Sequence, residues 1–239
     1  MQYQTRYTMF GGGAVTPAVK FLLIVNVAVF FLQALFGEQI DYLFGLVPQL
    51  VWQNFYFWQL FTYQFLHGGL LHILFNMLGL WMFGCDLERR WGSQFFLKYY
   101  FVTVIGGGIL NTLLTPHQTV PSIGASAGVY GILLAYGLIY PERTVYVPIL
   151  FIIFIPLKMK HLVVIYGAIE LYSSIASSQS GVAHLAHLGG MLFGYLYLRG
   201  GNPWDRFKLY LDQRRLARLK RRFQVVEGRR GNDRKPTLH

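Results

Sequence analysis

The chain has 239 residues, enough for one or at most two domains; 54% are hydrophobic, 17% aromatic and only 13% charged. Soluble domains carry about 25% charged residues, so the balance excludes an ordinary water-soluble enzyme and points to a polytopic membrane protein. A net charge of +11 would suggest nucleic acid in a soluble chain, but here no known nucleic-acid fold or stacking platform accompanies it.

Residues 1–17 are polar and glycine-rich and read as a flexible cytoplasmic lead-in. Six apolar segments follow at about 18–36, 69–87, 95–114, 124–140, 161–177 and 182–198, each near the ~20 residues that cross the hydrocarbon core as a helix. The first has no small-residue cleavage site and is expected to stay in place. Between the first two lies a loop, 37–68, with many aromatics and no Lys or Arg; Trp and Tyr favour the membrane interface, so short helices in the bilayer surface are expected. After the second span comes a charged turn, Glu88-Arg89-Arg90. The stretch 141–158, bounded by Pro148 and Pro156 and rich in β-branched residues, reads as an extended or hairpin segment. The lone Cys85 reads as a packing residue.

Charge sets the topology. With the N-terminus cytoplasmic, all 21 Lys and Arg fall in the inner segments or at their membrane edges, and the outer loops 37–68, 115–123 and 178–181 have none. This positive-inside pattern predicts an all-α bundle of six transmembrane helices with both termini inside. The basic tail, 199–239, contains a partly amphipathic stretch, 205–222, suited to anionic lipid or to a plain stop-transfer anchor.

Polar residues within spans are few and costly: His72 and Asn76 in span two, Ser126 opening span four, Glu170 in span five, His184 and His187 in span six. Spans two, four and six all begin on the outer side, so His72, Ser126 and His187 share one depth. Ser126 stands among Gly124, Ala125, Ala127 and Gly128. A hydroxyl at such a small-residue contact is either a packing feature or a nucleophile with a base on the facing helix. A fourth span of 17 residues would be about 25 Å long against a core of about 30 Å, leaving Ser126 at the floor of an outer cavity. His72 and Asn76 share a face, as do His187, Gly190 and Gly194, and the glycine faces of spans four and six would let an imidazole reach Ser126. Tyr130, one turn below, is placed to stack on that ring. With no carboxylate expected at this depth, a Ser-His dyad fits better than a triad. Each element has a bland reading too: His72 with Asn76 as interhelical glue, His184 with His187 as a metal pair lacking a third ligand. Glu170 lies toward the outer half of its span, lining the cavity or capping a loop.

HILFN (72–76), GASAG (124–128) and AHLGGMLFG (186–194) resemble the rhomboid intramembrane serine proteases, as do LERRWGS (87–93) and the aromatic first loop. The resemblance covers roughly residues 18–198. It implies Ser126 as nucleophile and His187, not His184, as base. It also implies His72, Asn76 and the Ser126 N–H as oxyanion donors, Tyr130 as the aromatic packed on the histidine, and Gly124, Gly128, Gly190 and Gly194 as supporting residues. Glu88 and Arg90 match a structural Glu-x-Arg. Two departures stand out: Ala127 follows the nucleophile where the family has Gly, and Trp58-Gln59 replaces a Trp-Arg pair. The expectation is a serine endopeptidase without cofactor or metal. It would act on transmembrane-protein substrates from a multi-pass position in a bacterial plasma membrane, its site opening outward. The rivals are a relative that binds and escorts single-span proteins without cutting them, and a small transporter, against which the absence of an inverted repeat argues.

Overall fold

The structure is a computed structural model, and it describes residues 14–149, 153–176 and 183–200. The expectations for most of the N-terminal lead-in, for the loop at 178–181 and for the basic tail beyond 200 fall outside the described residues.

Helix α1 (Pro17–Phe36) opens on a proline at its first helical position and stops at Gly37, whose φ of 67° ends the regular backbone. Ala18, Val19, Leu22 and Asn26 are buried, whereas Phe21, Ile24, Phe31 and Leu35 are exposed. In water such an apolar surface would be anomalous; on a helix that spans a bilayer it is the lipid face. The first loop holds short helices, as anticipated: α2 (Glu38–Phe44), α3 (Pro48–Asn54) and α4 (Gln59–Thr62), the last running into a 3-10 turn at Tyr63–Phe65.

The second span differs from expectation. Helix α5 (Leu70–Gly79) passes through one π-helical stretch, Leu80–Gly84, into α6 (Cys85–Trp91). The Glu88-Arg89-Arg90 stretch is therefore helical rather than a turn. Glu88 accepts hydrogen bonds from the Ala18 and Val19 N–H groups at 2.8 and 2.9 Å, from Thr16 Oγ1 at 2.5 Å and from Ser93 Oγ at 2.6 Å. It thus satisfies orphan donors at the start of α1 while tying it to the α6–α7 junction.

Helix α7 (Ser93–Leu114) buries residues from Phe96 to Thr112. Helix α8 (Ser126–Ile139) has 14 residues, or about 21 Å, shorter still than the sequence suggested. A hairpin follows, β1 (Thr144–Ile149) antiparallel to β2 (Ile153–Lys158), with Thr144 opposite Lys158 and Pro148 opposite Phe154; both prolines sit on two-stranded edges, where a missing donor is tolerated. Glu142 accepts from Lys158 Nζ at 2.7 Å and Lys160 Nζ at 2.5 Å, and these lysines hold its carboxyl down at about 2. Helices α9 (Met159–Ala176) and α10 (His184–Gly200) complete the described chain. By length and apolarity, Pro17–Phe36, Leu70–Trp91 and Ser93–Leu114 qualify as membrane crossings.

Candidate active site

The first loop sets the position of Ser126. Gln59, fully buried, accepts the Val47 N–H at 3.0 Å and donates to the Tyr42 carbonyl at 2.8 Å, while Trp58 Nε1 donates to the Leu43 carbonyl at 2.8 Å. Gln59 therefore anchors the loop at the position where the resemblance expects arginine. Leu46 and Ser122 exchange backbone hydrogen bonds at 2.9 and 2.8 Å, and Gly124 N–H donates to the Tyr63 carbonyl at 2.9 Å. These contacts bind the segment ahead of α8 to the loop. Gly124 has φ +125°, and a Cβ there would stand 2.7 Å from His72 Nε2. Glycine is needed for both the backbone conformation and the approach of the imidazole.

Ser126, the first residue of α8, contacts His187 on α10: the Oγ–Nε2 distance is 2.5 Å. The Tyr130 ring lies flat on the His187 ring, with centroids 4.5 Å apart and planes 6° apart. Ser126 and Tyr130 of α8 thus both meet His187 of α10, and His184 is not the histidine at Ser126. His72 Nδ1 accepts the Gly68 N–H at 3.2 Å, which places the ring proton on Nε2, beside Gly124. Asn76 Nδ2 donates back to the His72 carbonyl at 3.0 Å, so both side chains stay on one face of α5.

The glycines divide their work differently from the sequence reading. A Cβ on Gly190 would overlap the Ala127 carbonyl, lying 2.8 Å from its carbon, so this pair is the close contact between α10 and α8. Gly194 instead faces α7, where a Cβ would sit 3.0 Å from Thr103 Cγ2, and Gly128 faces Tyr100 of α7, with the ring's Cζ at 2.8 Å. The small residues of α8 therefore serve two neighbouring helices, not α10 alone.

The expectation that no carboxylate shares this depth is overturned. Glu170 on α9, only 5% exposed, accepts from Tyr130 O–H on Oε1 and from His184 Nδ1–H on Oε2 at 2.7 Å. The same Oε2 lies 2.9 Å from His187 Nδ1, out of line with the ring N–H, so no hydrogen bond is formed there. The direction of the fifth span had put Glu170 toward its outer half but could not say which neighbour it faced. It also supplies the third ligand-type atom the two histidines lacked, all within 4.8 Å of one another.

His67, missed in the sequence, is buried, with its ring 5.1 Å from that of His72. Neither of its ring nitrogens has a hydrogen-bond partner among the described residues. Burial, then the neighbouring His72, push it down to about 4, so it stays neutral beside the site. The only sequence signal was its position at the end of the aromatic loop.

The Rhomboid domain model matches residues 54–201. Rhomboid protease GlpG of Klebsiella pneumoniae is 32% identical over 135 residues, covering 53% of this chain and 45% of that protein. Rhomboid protease GluP of Bacillus subtilis is 32% identical over 136 residues, 55% of this chain and 26% of that protein. RHOMBOID-like protein 12, mitochondrial, of Arabidopsis thaliana is 27% identical over 186 residues, 71% of this chain and 54% of that protein. The chain thus matches about half or less of the length of these curated relatives.

Proposed function

The chain belongs to the rhomboid family, and from that premise we propose that it is an intramembrane serine endopeptidase. Its apolar helices make it an integral membrane protein, and its relatives include proteins named as proteases. The observation that carries the reading is the 2.5 Å contact between Ser126 Oγ and His187 Nε2, a nucleophile and a base within proton-transfer reach. In this reading six helices span the bilayer with both termini inside, in a bacterial plasma membrane, and the site opens outward.

His187 Nε2 removes the Ser126 proton, and Oγ attacks a peptide carbonyl near the outer end of a substrate's transmembrane helix. That segment must unwind first, because a helical peptide bond is shielded by its own backbone hydrogen bonding. The developing oxyanion meets His72 Nε2–H, the Asn76 amide and the Ser126 N–H, which as a first-turn amide has no intrahelical acceptor. Losing one such donor costs about 2.7–4 kcal/mol of transition-state stabilisation. His187 then gives its proton to the leaving amine, and water hydrolyses the acyl-enzyme. The basic tail at 199–239 holds anionic lipid at the inner surface.

The test is cleavage of a labile single-span substrate by the purified chain in liposomes. Ser126→Ala and His187→Ala are expected to abolish it, and a fluorophosphonate probe to label Ser126. Parent-like cleavage by both variants would refute the assignment. A parent that binds such substrates without turnover would support the non-proteolytic escort instead.

A further inference from the structure

A carboxylate inside a bilayer is costly unless its charge is balanced by partners. Glu170 has three: Tyr130 O–H on Oε1, His184 Nδ1–H on Oε2 at 2.7 Å, and His187 Nδ1 2.9 Å from that same Oε2. Each bears on one ring. Tyr130 is the residue stacked on His187, and His184 stands one turn before it on α10. In the dyad reading Nε2 accepts from Ser126 Oγ across their 2.5 Å contact, which requires the ring proton on Nδ1. That nitrogen is buried and has no hydrogen-bond partner among the described residues; Glu170 Oε2 is the acceptor-type atom beside it, at 2.9 Å. At 2.7 and 2.9 Å from Glu170 Oε2, the two histidine Nδ1 atoms stand closer to it than the ligands of one metal ion would. Tetrahedral zinc, with bonds of about 2.0–2.1 Å, would hold its ligand atoms roughly 3.3 Å apart.

We propose that Glu170 is the positioning residue for His187, with Tyr130 and His184 holding its carboxylate in place. The inference rests on the Ser126–His187 reading above. Glu170 selects the tautomer with the proton on Nδ1, leaving the Nε2 lone pair toward Ser126. When the proton passes from Oγ to Nε2, Oγ forms its bond to the substrate carbonyl carbon and that carbonyl's π pair moves onto oxygen. The imidazolium then faces a fixed negative charge through Nδ1–H. Glu170 neither gains nor loses a proton, and Nε2 later returns its proton to the leaving amine. An apo contact that is close but poorly aligned is expected to straighten in the substrate complex.

The experiment uses the full chain in liposomes, a fluorogenic single-span substrate and the variants Glu170→Gln and Glu170→Asp, with Ser126→Ala as the blank. Glu170→Gln is expected to lower kcat about 10- to 100-fold, at the low end of what a positioned base contributes, with KM within about twofold of the parent. Glu170→Asp, which restores the charge, is expected to recover part of the loss. A Glu170→Gln kcat within about twofold of the parent, while Ser126→Ala is dead, overturns the proposal and leaves the protease reading standing. Parent-like cleavage by Ser126→Ala removes the premise and overturns both. Should the Glu170 variants not fold, 15N spectra of the histidine-labelled parent, assigned against His187→Gln, decide: the His187 proton on Nδ1 supports the proposal and a proton on Nε2 overturns it. Loss of parent activity to a chelator, restored by zinc, would also overturn it in favour of a metal site.

Discussion

Replacing Gly190 by alanine tests whether helix spacing sets the reactive distance. The new Cβ would lie 2.8 Å from the Ala127 carbonyl carbon, 3.2 Å from its Cα and nearer still to its oxygen. These are backbone atoms and cannot swing aside, so α10 must recede from α8 by about 1 Å to reach ordinary van der Waals contact. His187 lies one turn away on the same face, and its Nε2 now sits 2.5 Å from Ser126 Oγ. The same recession would open that distance to about 3.5 Å, beyond a useful hydrogen bond. Overpacking costs about 1–3 kcal/mol, of which alanine's better helix propensity offsets about 1 kcal/mol. The net stability loss is therefore modest, whereas a 1 Å misplacement of a reacting group costs about 10²-fold in rate. The expected outcome is an unfolding midpoint a few degrees lower and a kcat about 10²-fold lower, read from the same liposome preparations. Gly167→Ala is the control, because its Cβ would meet only the flexible Met191 end at 3.6 Å; it should leave kcat near the parent and, by the same helix propensity, raise the midpoint slightly. Parent-like kcat in Gly190→Ala would refute the argument that this contact sets the dyad distance.

Gln59→Ala should destabilise the protein by about 1–3 kcal/mol, since it strands the Val47 N–H and the Tyr42 carbonyl; an unchanged unfolding midpoint would show that the first loop is held elsewhere. His67 governs part of the acid response. Its folded value of about 4 lies below the ordinary 6.5, so the unfolded chain binds more protons between these values. Stability from this group is complete above pH 6.5 and lost as pH falls toward about 4, amounting to about 3 kcal/mol. His67→Phe should flatten the stability profile in that window, and an unchanged slope would contradict the assignment.

Composition and charge pattern alone indicated a membrane protein, because long apolar runs and segregated Lys and Arg are properties of the chain and need no partner. The helical faces carrying His72 with Asn76, and His187 with Gly190, were equally legible, because the period of 3.6 is local. The hairpin could be read from β-branched residues between two prolines. What periodicity cannot supply is the rotation of one helix against another. That rotation sends Gly194 and Gly128 to α7 instead of joining α10 to α8, and it turns Glu170 onto His187, where sequence expected no carboxylate. It also hides His67, whose neutrality follows from tertiary burial beside His72. Shared depth put Ser126 near the histidines of span six, and the family resemblance implied His187 as its partner. The carboxylate behind the histidine was not legible, because Glu170 and His187 lie 17 positions apart on different helices and only the packing of α8, α9 and α10 brings them within 2.9 Å.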